Sequence, residues 1–290
     1  MKNKVLIILF TLGFFSSCTS KFEDLNKDTK NPVEVPGTYV FTHAQYLMNY
    51  HLALSNVNVG IFNLMAQYIT ETTYIDEANW DLANRTIPDN FSRRMYYDLN
   101  ELKIAKELIE KEVVAGEGPI AEKQNKIYVI EVLQAYLWQV LVDVFGDVPY
   151  TEALNPINTL PKYDNDETIY ADLISKVQAA YNGFNDAYGS FGDADLIYGG
   201  DVTSWKKFAA GLIIKLAINS WDANSSTSKT LIETYYNKTF VSLSESAYFP
   251  FQTTSPYQNP LYEDFIASGR KDFVVCHTLL SQMQNNDPRL

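Results

Sequence analysis

Two cysteines and three histidines among 290 residues leave little material for redox or metal chemistry. Cys18 and Cys276 are the only thiols, too few for a disulfide framework or a thiolate metal site. His43 and His51 stand eight residues apart, which on a helix turns them about 80° from each other and argues against a shared metal ion. Basic residues are also scarce. Lys and Arg number 23 against 35 Asp and Glu, for a formal charge of −12. A chain this acidic lacks the cationic patch that nucleic acid or an anionic lipid surface requires. Nucleophile elbows, H-E-x-x-H zinc helices and phosphate loops are missing, and Gly189, Gly192, Gly199 and Gly200 lack the strand and helix of a phosphate cradle. Asp143, Asp147 and Glu152 cluster near one expected helix end, but in so acidic a chain such groups ordinarily mark a solvated face rather than a pair of catalytic acids.

What is present begins at the N-terminus. Met1 to Lys4 are basic, Val5 to Phe15 apolar, and Ser16 and Ser17 small, the layout of a secretory signal peptide over residues 1–17. The apolar part is shorter than the roughly 20 residues a membrane span needs. Because Cys18 follows directly, the segment resembles a bacterial lipoprotein signal, with cleavage before Cys18 and a lipid on its sulfur. Residues 18–37, with Pro32 and Pro36, read as an extended tether.

From residue 38 apolar residues recur at helical spacing. Helices are expected over Tyr39–Leu54, Gly60–Thr72, Pro88–Val114, Ile120–Phe145, Asp166–Phe184, from about Thr203, over Ser228–Asn237 and over Asp272–Gln284. Ile120–Phe145 carries the longest stripe, Val129 through Val144, and Gly146 stands where a left-handed residue stops a helix. Gly116 to Pro119 reads as a break before it. Asp166 reads as an N-cap, residues 185–201 as loop and 240–260 as strand or coil. Successive helix pairs with short connections predict a mainly α fold, an irregular α-α superhelix of helix pairs with degenerate tetratricopeptide character, long loops and little β. The 20 tyrosines suit either sugar-stacking surface or helix packing.

Four blocks, in order, resemble the SusD/RagB family of outer-membrane nutrient-binding lipoproteins. They are Cys18 with Phe22-Glu23-Asp24-Leu25-Asn26 and Asn31-Pro32; Phe145-Gly146-Asp147-Val148-Pro149-Tyr150; Asp195-Leu196-Ile197-Tyr198-Gly199-Gly200-Asp201 leading to Trp205; and Asn286-Asp287-Pro288-Arg289-Leu290. The residues themselves read structurally: Gly146 releases a helix, Asp147 bonds nearby amides, Asp201 caps the next helix and Trp205 is buried. The resemblance implies a surface-exposed lipoprotein of the outer membrane, anchored through lipid on Cys18. It would cap a SusC-like TonB-dependent transporter and capture a glycan or other nutrient, without catalysis, cofactor or metal. Glu23 and Asp24 are similar to the acidic signal that sends such lipoproteins to the cell surface. Family members continue beyond the Asp-Pro-Arg-Leu block. The resemblance therefore implies a 38–290 domain incomplete at its C-terminus, whether a fragment or a reduced member, with apolar helix surface left exposed.

Ligand groups in this family have no transferable motif. Tyr74, Asn79 and Trp80 are candidates because they fall in a polar segment between helices, although a Trp there can also pack in the core. Two other functions remain open at this stage, a surface-anchored glycan-processing enzyme and a ligand-free helical scaffold.

Overall fold

The computed structural model describes residues 35–54 and 59–289. The expected signal peptide, Cys18 and nearly all of the 18–37 tether lie outside those residues.

Seven helices carry the packing: α1 (Gly37–Leu52), α2 (Val59–Met65), α3 (Ile87–Glu110), α4 (Glu117–Phe145), α5 (Asp166–Gly183), α6 (Val202–Asn219) and α7 (Ser225–Tyr235). Each long helix lies on the next, α1 on α3, α3 on α4, α4 on α5, α5 on α6 and α6 on α7, which is the expected succession of helix pairs. The core follows from the stripes read in the sequence. Leu99, Leu102 and Ile109 of α3, Val129, Ile130, Leu133, Leu137 and Leu141 of α4, and Leu173 and Val177 of α5 belong to one buried cluster. Because α4 has neighbours on several sides, it is apolar almost all round. By length and composition α4 could cross a membrane, yet most of its apolar window is buried within the protein, as in the core helix of a globular domain.

The helix ends correct several expectations. α4 begins at Glu117, with Gly118 and Pro119 inside its first turn, since a first-turn proline forfeits no intrahelical bond. Asn165, not Asp166, caps α5, accepting the Thr168 N–H. Asp166 is the first helical residue, and its own N–H goes to the Asp147 carboxylate at 2.9 Å. α7 starts three residues early because Asn224 caps it through Thr227 N–H. Residues 240–260 are coil with one 3-10 turn, Leu243–Glu245.

Two expected helices are largely something else. Within Gly60–Thr72 only α2 is helical, and β1 (Ile69–Glu71) follows. Within Asp272–Gln284 the chain forms β2 (Phe273–Val275) and then one helical turn, His277–Leu280. The strands pair antiparallel with Ile69 opposite Val275 and Glu71 opposite Phe273. Ile, Thr, Val and Phe suit a pleated ladder, and the pairing joins segments about 200 residues apart, out of reach of any local pattern.

Two of the sequence blocks are clasps. After Gly146, held at φ +70°, Val148 bridges to Asp164. The Asp164 carboxylate accepts the N–H groups of Tyr150 (3.2 Å) and Thr151 (2.7 Å). Asp143, Asp147 and Glu152 are not a free acid cluster. Asp143 accepts from Gln139, Tyr170 and Asn219, and Glu152 from Asn158 and the Lys162 N–H. The second clasp centres on Asp195, only 3% exposed. Its two oxygens accept from Gln45 Nε2 (2.8 Å), the N–H groups of Ile197, Tyr198 and Gly200, and Trp205 Nε1 (2.7 Å). Gln45 returns a bond, its Oε1 accepting Leu196 N–H. Gly200 has to be glycine, because at φ +79° a Cβ there would lie 2.3 Å from the Gly192 nitrogen.

Candidate functional site

The segment carrying Tyr74, Asn79 and Trp80 is built on a small core of its own. Ile61 and Leu64 of α2 bury against Ile87 at the start of α3, with Ile69, Leu82 and Phe273 packed around them. The β1–β2 ladder extends this platform: Thr72 N–H donates to Asp272 O at 2.7 Å, and Cys276 N–H to Tyr68 O at 3.0 Å. Residues 271–278 thus hold the start of the segment in place.

Charge fixes the rest. Arg85 reaches back to Glu77, donating from Nε at 2.5 Å and from a terminal nitrogen, and lies 3.6 Å from Glu71. Glu71 and Glu77 are both buried, and Glu71 also accepts Ala78 N–H at 3.1 Å. Burial pushes the Glu71 carboxyl up, against the opposing pull of the Ala78 amide. Across the β1–β2 ladder, Arg270 pairs with Asp272 at 2.5 Å and sets its guanidinium 5.3 Å from the centre of the Tyr74 ring. Hydrogen bonding to Asp272, then to Tyr74, raises the Arg270 pKa. These groups enclose a concavity of about 240 Å³ lined by Glu71, Tyr74, Arg85, Asp264, Arg270 and Asp272.

Of the three candidates, Tyr74 lines this concavity; Asn79 and Trp80 do not. Trp80 ends the 3-10 turn Glu77–Asn79 in the left-handed region at φ +66° and is 64% exposed, so it does not pack in the core. Tyr74 is 60% exposed and also has positive φ, 56°. Two aromatic side chains displayed to solvent from left-handed backbone are poor stability choices, which is the pattern of residues placed for contact. Sequence reading missed Arg85, Arg270 and Asp272. Arg85 is near enough in the chain to have been paired with Glu77, but nothing local marks the long-range strand pairing that delivers the other two.

Among the described residues no group of three or more His, Cys, Asp or Glu side chains could hold a metal ion. His43 faces Glu101, and His51 is buried against Asp98 at 2.8 Å. Desolvation raises the Asp98 pKa, opposed by the His51 hydrogen bond.

The family model described as starch-binding associating with outer membrane matches residues 29–290, nearly the whole chain. The chain belongs to the SusD/RagB family. Solved structures agree on the fold. A SusD-like protein described as Bacteroidetes AC2a superposes with a TM-score of 0.70 at 20% identity, over 88% of this chain and 50% of its own. A SusD/RagB family protein from Bacteroides thetaiotaomicron gives 0.68 at 22%, over 86% and 52%. A chitin-binding protein gives 0.68 at 20%, over 87% and 53%. The chain therefore spans about half the length of these SusD-like structures. Among curated proteins none matches it.

Proposed function

We propose that this SusD-family chain binds a glycan at the outer membrane and delivers it to a SusC-like TonB-dependent transporter, with lipid on Cys18 as its anchor. The observation that carries the reading is the family match over residues 29–290. Exposed Tyr74 and Trp80 support it locally, since their apolar faces suit the C–H patches of sugar rings while Arg270, Asp272 and Asn79 supply hydroxyl partners. The role is binding, not catalysis. Glu71 and Asp272 of the Tyr74 concavity are tied to arginines, and Asp143, Asp147 and Glu152 serve as acceptors within the fold.

Affinity electrophoresis in gels containing starch or soluble chitin tests the reading. The wild type should be retarded by at least one of them, and Trp80→Ala should migrate closer to its position in a blank gel. Release of reducing sugar by the purified protein would refute the binding-only role, and absence of retardation by any glycan in a wide panel would refute glycan binding.

A further inference from the structure

Helix α1 has two faces. Phe41, Ala44 and Met48 point into the core, whereas Tyr39, Thr42, His43 and Tyr46 recur at i, i+3, i+4 and i+7 along another side. Over that side passes the irregular segment 249–257, bringing Phe249, Phe251 and Tyr257. Together with Asp193 and Ala194 from the loop before α6, they enclose a cleft of about 660 Å³, within the range of small-ligand sites.

The rings are oriented as walls and not as a stack. Tyr46 and Tyr257 meet edge to face at 5.1 Å and 79°, and Phe249 and Phe251 at 5.0 Å and 71°. Hydrogen bonds hold them there: the Tyr46 hydroxyl donates to Pro256 O at 3.0 Å, and Gln252 N–H to Tyr257 O at 2.9 Å. Even so the surface stays open, with Tyr39 68% and Tyr257 47% exposed. Exposed aromatic rings gathered around one concavity are the kind of surface that suits a ligand. Besides the tyrosine hydroxyls, the polar lining groups are Thr42, His43, Asp193 and Gln252, and no Lys or Arg lines the cleft. Without a cation, in a chain of charge −12, an anionic ligand has no counter-charge. A ligand with apolar C–H faces and neutral hydroxyl edges is complementary.

We propose that this cleft is a second saccharide site, taking a neutral oligosaccharide whose rings lie against Tyr39 and Tyr257 with hydroxyls on Asp193 and Gln252. The assignment rests on the glycan-binding reading of the chain but not on the Tyr74–Trp80 segment.

Hydrogen exchange and calorimetry on the full chain, in a detergent without a sugar headgroup, test it with maltoheptaose and chitohexaose as probes. Binding should slow amide exchange in residues 37–46 and 249–257. Tyr39→Ala with Tyr257→Ala should weaken binding at that site about tenfold and abolish this protection, while Trp80→Ala leaves it. Tyr39→Phe with Tyr257→Phe keeps the rings and should retain both. If the sugars bind yet protect only residues 69–85, with sensitivity to Trp80 alone, the second site is refuted and the glycan-binding reading stands. If neither sugar binds the wild type, the cleft assignment is overturned, while the glycan-binding reading stands or falls with the wider panel. A dimer in sedimentation that the double Ala variant dissociates would instead make the cleft a contact between copies, and would equally overturn the proposal.

Discussion

Replacing Asp195 by alanine removes one carboxylate that five donors share. Three of these, Gln45 Nε2, Gly200 N–H and Trp205 Nε1–H, belong to residues buried in the fold. A buried donor left without an acceptor costs about 1–3 kcal/mol. The half-buried Ile197 and Tyr198 amides can turn to water, so the three buried donors set the scale, about 3–9 kcal/mol for Asp195→Ala. That is a large part of the roughly 5–15 kcal/mol that stabilises a typical domain. Asp195→Asn keeps the volume and separates charge from geometry. One oxygen survives, but the new amide N–H₂ has to face either Gly200 and Trp205 or the donors on the other side, so about 2–4 kcal/mol should be lost. Urea denaturation followed by tryptophan fluorescence reads the loss as a lower midpoint at unchanged slope. A double-mutant cycle of Asp195→Asn with Trp205→Phe should show coupling of about 1–2 kcal/mol, because the phenylalanine removes one of the conflicting donors. A loss below about 1 kcal/mol for both Asp195 variants would refute the argument that this carboxylate organises the loop.

Other outcomes follow from the same geometry. Gly200→Ala should prevent folding or cost several kcal/mol, on the order of 3, since both its positive φ and the adjacent Gly192 backbone oppose a Cβ; a midpoint near wild type would contradict the close approach. Amide donors, the Thr151 N–H first, hold the Asp164 carboxyl below the usual carboxylate range. The unfolded chain therefore binds the extra proton first, and the Asp164 contribution is present above about pH 4 and lost as pH falls through the folded value. Stability of Asp164→Asn should accordingly trail the wild type at neutral pH and converge with it in acid, and a difference that persists in acid would count against the assignment. Cys18→Ser should move the protein from the membrane to the soluble fraction of expressing cells. Persistence in salt-washed outer membranes would disprove the lipid anchor.

The helical frame was legible because its signals are local. Apolar periodicity over 18 residues and more located α3, α4, α5 and α6, and glycine after Phe145 located the end of α4. Errors came where one local signal outweighed another, as at Gly116–Pro119, where a first-turn proline was read as a break. They also came where structure is made by distant pairing. Phe273, Val274 and Val275 satisfy a helical stripe and a strand equally well, and only Ile69 to Glu71, far away in the chain, decides between them. The candidate site shared that limit. Tyr74 and Trp80 could be nominated from polarity alone, but Arg270 and Asp272 arrive with the strand. In the aromatic cleft one wall lies on the helix expected over Tyr39–Leu54, while the other is irregular chain with no period to read.

The Asp195 loop and the aromatic cleft are one construction. α1 is fastened to residues 191–196 by three contacts, from Phe41, Thr42 and Gln45. Phe41 stacks on Phe191 at 3.6 Å and 8°, the Thr42 hydroxyl donates to Ala194 O at 2.8 Å, and Gln45 exchanges bonds with Asp195 and Leu196. Asp193, Ala194 and Leu196 then line the cleft on one side and Tyr39 and Tyr46 on the other, so the fastening sets the width between them. A carboxylate buried beneath the site thereby governs it without touching a ligand. Asp195→Asn should therefore weaken oligosaccharide binding at the cleft even under conditions where the variant remains folded, and Gln45→Ala, which cuts the same tie from the α1 side, should do likewise. Binding at the Tyr74–Trp80 segment has no such link and should not change. If Gln45→Ala left cleft affinity untouched in a folded protein, the width of the cleft would have to be set by segment 249–257 alone.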